Sequence, residues 1–164
     1  MTRILFVCHG NICRSPMAEF VMKDMVHKRG LDDRFEIASA ATSREEIGNP
    51  VYPPARRMLA QHGISCDGHH ARQMIQTDYD QYDRIIGMDR ANIRNICRII
   101  GEDRSGKVSL LLDHAVRAGQ DVADPWYTGD FSATWRDVTE GCAGLLEELG
   151  YEIDQKEEEN GRKI

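Results

Sequence analysis

The chain has 164 residues, with 21 Lys and Arg against 27 Asp and Glu, a formal net charge of −6, 41% hydrophobic residues and 29% charged ones. Those proportions describe one ordinary globular domain and exclude a disordered chain, while the acidic balance disfavours broad nucleic-acid binding, which needs a basic stripe. No apolar stretch approaches the ~20 residues of a membrane span, and a lone Arg3 ahead of a short apolar run does not read as a secretory leader.

Residues 3–8 (RILFVC) form a continuous apolar run, the mark of a strand buried on both faces. After a short polar loop, Ser15 and Pro16 read as the N-cap and first residue of a helix. It carries Met17, Val21 and Met25 on one face and stops at Gly30. A second strand is predicted over 35–38 and a helix over 54–61 that ends at Gly63. Residues 84–88 (RIIGM) make a third strand, with Asp89 as the N-cap of a helix carrying Ile93, Ile96 or Cys97, and Ile100. The fourth strand is predicted over 107–112. The last helix shows Trp135, Val138, Cys142, Leu145 and Leu149, with Gly150 at C′. Strand and helix alternate, so the expected architecture is a single α/β domain: a central four-stranded parallel sheet flanked by helices on both faces. The domain is expected over 1–153, followed by a polar tail at 154–164 (DQKEEENGRKI). Five cysteines at irregular spacing, with no leader, suit a reducing compartment, and the expected location is the cytoplasm.

In open parallel sheets, ligands bind beyond the carboxyl ends of the strands. The first strand ends at Cys8, and the loop His9-Gly10-Asn11-Ile12-Cys13-Arg14 runs straight into a helix. Gly10 and Asn11 both tolerate positive φ, so the loop can curl until successive backbone N–H groups face one centre. The helix start adds unpaired amides and the positive end of its dipole, and Arg14 offers a planar fork for two oxygens of a tetrahedral oxyanion. Cys8 lies at the base of this cradle, where the amides favour a thiolate placed for in-line attack at phosphorus. Ser15 is positioned to donate its hydroxyl to that sulfur. A lone Cys at a buried strand end is more often packing than chemistry. Strand end, loop glycine, arginine and Ser-Pro helix start together weigh toward chemistry. Cys8, His9 and Cys13 lack a fourth metal ligand, and His62, His69 and His70 do not share a helix face, so no metal site is expected.

The stretch VCHGNICRSPMAE (7–19) resembles the signature of the low-molecular-weight protein tyrosine phosphatases. SAATS (39–43), IGNP (47–50), HGI (62–64), HHARQ (69–73), MD (88–89) and ADPWYTGDF (123–131) follow in the family's order. The resemblance implies hydrolysis of phosphotyrosine monoesters through a cysteinyl-phosphate intermediate, with no metal and no cofactor. It implies that residues Cys8 to Arg14 bind phosphate, that Asn11 and Ser15 support the loop and the thiolate, and that Ser39 and His69 buttress the same loop. Asp124 corresponds to the family's general acid. Tyrosine leaves as a phenolate of conjugate-acid pKa ~10, so expelling it at neutral pH calls for a proton donor. Pro125 stiffens that segment, and Trp126 and Tyr127 offer aromatic walls to the substrate ring. His9 sits in the cradle, where the family varies, and reads equally as a substrate contact or a solvated histidine. Cys13 matches a cysteine that in the family can pair with the nucleophile on oxidation. Cys66, Cys97 and Cys142 read as structural. Glu45 stands where family members carry an aromatic residue.

The implied partners are phosphotyrosine-containing proteins or small aryl phosphates, not nucleic acid or membrane. Related arsenate reductases need two further cysteines near mid-chain, where this sequence has only Cys97. A branch acting on phosphoarginine carries Thr where this chain has Ile12. A noncatalytic phosphoprotein-binding module has no use for Cys8 and Asp124 together.

Overall fold

The computed structural model describes residues 1–151; the tail expected at 154–164 lies outside them. Four parallel strands, β1 (Thr2–Cys8), β2 (Phe35–Ala41), β3 (Arg84–Gly87) and β4 (Val108–Leu110), form one sheet in the order β2-β1-β3-β4. Among the described residues the α-helices are α1 (Arg14–Lys28), α2 (Pro53–Gln61), α3 (Asp78–Gln81), α4 (Arg90–Ile100), α5 (Pro125–Thr128) and α6 (Phe131–Glu148). Alternation along β1 divides the interior. Ile4, Phe6 and Cys8 enter the core shared with α1, α2 and α6, while Leu5 and Val7 enter a second core beneath α4. With both faces covered, the unbroken apolar run of β1 is what a central parallel strand requires. None of the helices among the described residues is long and apolar enough to cross a membrane.

Several boundaries differ from the sequence expectation for physical reasons. The first helix starts at Arg14, with Cys13 as an N-cap that makes no side-chain capping bond. Ser15 is therefore inside the helix, and its hydroxyl turns back to the loop instead of capping. β2 runs on to Ala41 because it pairs with β1 as far as Cys8. β4 stops at Leu110, where the Asp113 carboxylate accepts from Leu110 N at 3.0 Å and a 3-10 turn follows at Leu111–His114. That turn packs under α6. A β-carbon on Gly141 would collide with Leu111, and one on Gly144 with the His114 carbonyl oxygen, so both glycines permit the close approach. The short α3 and α5 fall below the length at which periodicity shows. α3 is anchored by buried Asp78, which accepts from Ile75 N at 2.8 Å and pairs with Arg72. Asp89 caps α4 as expected, within a capping box completed by Asn92. Gly150, at φ +96, closes α6 at C′.

Candidate active site

The order β2-β1-β3-β4 makes the end of β1 a switch point, because the chain leaves for β2 on one side and returns to β3 on the other. Cys8 ends β1 there, 4% exposed. Of the two loop residues expected to take positive φ, only Asn11 does, at +60. Gly10 has another use: a β-carbon there would lie 3.3 Å from Glu46 Cγ, so its bare backbone admits the wall that crosses above it.

Asn11 is fully buried and organises the loop. The Arg72 N–H donates to its Oδ1 at 3.2 Å, which fixes the amide so that Nδ2 donates to Ser15 Oγ at 2.8 Å and to Ser39 Oγ at 2.9 Å. The Ser39 hydroxyl in turn donates to Glu19 Oε1 at 2.6 Å. Since Ser15 Oγ accepts from Asn11, its hydroxyl proton is free for Cys8 Sγ, 3.0 Å away. His69 Nε2 meets the Asn11 carbonyl oxygen at 2.9 Å and so donates. Thus Asn11, Ser15, Ser39 and His69 all meet beneath the loop, and Glu19 joins them. Its signal in the sequence is a carboxylate inside the apolar run of α1.

Arg14 is 3% exposed. Its Nη1 donates to Asp89 Oδ2 at 2.8 Å and to the Val122 carbonyl at 2.9 Å, while Nη2 faces Asp124 Oδ2 at 3.5 Å. Nη1 is committed to the protein, which leaves the Nε–Nη2 edge for an oxyanion. Burial opposes the charge of Arg14, but Cys8, Asp89 and Asp124 outweigh it and hold the guanidinium above its ordinary pKa. Cys13 behaves differently from a reactive thiol: burial, then the neighbouring Cys8 and Asp124, push it up to about 12. Both cysteines are free thiols. Among the described residues, no three His, Cys, Asp or Glu side chains group as a metal site.

A cleft of about 270 Å³ opens over Cys8 and Arg14. Asp124 reaches it as the N-cap of α5: Oδ1 accepts from Trp126 N at 3.0 Å, and Oδ2 is left facing inward. Trp126 and Tyr127 stand on the same side, 56% and 85% exposed, and Tyr52 braces Trp126 with ring centroids 4.9 Å apart. His9, Gly10, Ile12 and Cys13 also line the cleft. His9 is both solvated and at the mouth, where Nε2 pairs with Glu45 Oε2 at 3.0 Å. Tyr52, Glu46 and the Val122 carbonyl fall outside every motif read from the sequence, and Arg72 lies inside HHARQ but contributes here through its backbone N–H, which residue type does not signal.

The family model for low molecular weight phosphotyrosine protein phosphatase matches residues 3–156. The chain belongs to this family. The low molecular weight protein-tyrosine-phosphatase YfkJ of Bacillus subtilis is 39% identical over 153 residues, 93% of this chain and 98% of its own. The crystal structure of YfkJ has a TM-score of 0.87, with 96% of each chain covered. The low molecular weight phosphotyrosine protein phosphatase of Gallus gallus is 36% identical over 148 residues, 88% of this chain and 93% of its own. The structure of SP-PTP, a low molecular weight protein tyrosine phosphatase from Streptococcus pyogenes, is 37% identical at a TM-score of 0.81, covering 98% of this chain and 99% of that one. In this low-molecular-weight phosphatase the buried loop network joins the Asn11, Ser15 and Ser39 side chains to the backbone of Arg72, and the cleft wall at Glu45 and Glu46 is acidic.

Proposed function

We propose that this phosphatase hydrolyses phosphotyrosine monoesters through a phosphorylated Cys8. The reading rests on one observation: the Cys8 sulfur, the Arg14 guanidinium and the Asp124 carboxylate border the same cleft. The phosphate sits on the loop amides and Arg14, with the aryl ring between Trp126 and Tyr127 on one wall and residues 45–46 on the other. The Cys8 thiolate attacks phosphorus, the bond to the tyrosyl oxygen breaks, and Asp124 gives that oxygen its proton. Water then attacks the phosphocysteine, Asp124 takes the water's proton, and Cys8 leaves as a thiolate that accepts the Ser15 hydroxyl. That hydrogen bond, held in direction by Asn11, lowers the energy of the departing sulfur. The net charge of −6 does not oppose an anionic substrate, because Arg14 and oriented amides set the field where the phosphate binds. The five cysteines, all free, suit action in the cytoplasm.

Turnover of phosphotyrosine, phosphoserine and phosphoarginine by the intact protein tests the reading, with Cys8→Ser as control. Phosphotyrosine should be preferred. Cys8→Ser should bind inorganic phosphate and release none from substrate; retained turnover would refute the covalent route.

A further inference from the structure

The phosphate loop accounts for recognition of the phosphoryl group, but not for the wall of the cleft that lies outside that loop and the segment 124–127. Two consecutive carboxylates, Glu45 and Glu46, form that wall. Glu46 is fixed: its Oε2 accepts from Asn49 Nδ2 at 2.6 Å, and its side chain crosses the bare backbone of Gly10. Glu45 reaches outward to His9, and both side chains remain exposed, at 69% and 53%. Nearby cations are engaged elsewhere. Arg44 turns to Gln73 Oε1 at 3.0 Å, Arg14 serves the phosphate, and Arg90 and Arg94 lie in a separate groove beyond Asp124. With phosphate bound, the charge of Arg14 is met and this side of the mouth is left negative.

We propose that Glu45 and Glu46 make this phosphatase selective for phosphotyrosine flanked by basic residues, an inference that rests on the phosphotyrosine reading above. A phosphotyrosine whose phosphate reaches the cleft floor at Cys8 must carry its neighbouring residues across this rim. Lys or Arg there meets a carboxylate, while Asp or Glu is repelled. Exposed pairs are worth ~0.2–1 kcal/mol each, so two flanking charges of either sign separate the best and worst peptides by roughly tenfold in kcat/KM. The preference weakens with salt, because the pairs are solvated.

The test uses the intact protein and three phosphotyrosine peptides that differ only in having Lys, Gln or Glu beside the phosphotyrosine, with para-nitrophenyl phosphate alongside. The readout is the ratio of kcat/KM between the Lys and Glu peptides, so any general change in activity cancels. Expected is the order Lys, Gln, Glu, with the ratio shrinking toward one at ~1 M salt, where screening acts within ~3 Å. Glu45→Gln should reduce the ratio several-fold, and Glu45→Lys, which sets a cation beside the remaining Glu46, should remove most of the preference. A wild-type ratio near one, a ratio insensitive to salt, or a ratio unchanged in both variants overturns the inference. If the variants fail to fold, the salt series on the wild type decides. Failure to turn over any peptide or the aryl phosphate would overturn the phosphatase reading instead.

Discussion

Replacing Asn11 by Ala removes the residue on which the phosphate loop is built. The substitution deletes three hydrogen bonds inside the protein, to Ser15, Ser39 and the Arg72 amide. At a net value of about 1 kcal/mol each, their loss costs about 3 kcal/mol. Asn11 also stands at φ +60, a left-handed conformation that Ala tolerates less well, which adds ~1 kcal/mol. A total of about 4 kcal/mol is a large share of the 5–15 kcal/mol typical of a domain and corresponds to a fall in Tm of roughly 8–16 °C for a chain of this size. Asn11→Gly loses the same bonds without the strain, so it should be more stable than Asn11→Ala by ~1 kcal/mol, the reverse of their usual order in regular structure. Thermal unfolding of the three proteins, followed by circular dichroism, measures both differences. Turnover well below the transition should also fall in each variant, because the Ser15 hydroxyl loses the donor that directs it at Cys8. An alanine variant that melts within ~2 °C of wild type, or that is more stable than the glycine variant, would refute this account of the loop.

Asp124→Ala should lower kcat on phosphotyrosine by about 10²–10⁴-fold, the value of a general acid, and far less on esters of acidic phenols; an equal loss across leaving groups contradicts the assignment. Asp89→Ala frees Arg14 Nη1 from its carboxylate partner, and because a hydrogen bond to a charged group is worth ~1.5–3 kcal/mol, KM should rise by about tenfold or more with a smaller change in kcat. Steady-state kinetics separates the two effects. The Cys13 thiol, raised from 9.0 to about 12, keeps its proton in the folded protein at a pH where the unfolded chain releases it. The associated stability is intact below pH 9 and is lost as pH rises from 9 toward 12, so Tm should decline over that window and decline less in Cys13→Ala.

The sequence by itself determined the parts whose logic is local. The apolar run into Cys8, the Cys-x5-Arg spacing and a helix beginning within the loop are set by side-chain type and short chain distance, and they suffice to bring Cys8 and Arg14 to one strand-to-helix loop. Helices α4 and α6 were legible because each buries one face at helical spacing, α1 because Met17, Val21 and Met25 follow a Ser-Pro start, and α2 because its run closes at Gly63. The four-residue α3 and α5 were not, since they hold together by Asp78 and Asp124 side-chain bonds instead of a buried stripe. Ser15 was misread as a cap for the same reason: a serine at a helix start suits either role, and only a sulfur and an amide on both sides of its hydroxyl choose between them. What tertiary structure alone decided is the set of partners. Ser39 lies 28 residues from Asn11, and Asp89, Val122 and Asp124 lie 75, 108 and 110 residues from Arg14. The strand order β2-β1-β3-β4 brings these groups to one end of the sheet, because β1 must be covered on both edges and both faces to bury its apolar run. Spacing along the chain names the nucleophile, but the cost of burying unpaired polar groups decides which distant residues must meet it.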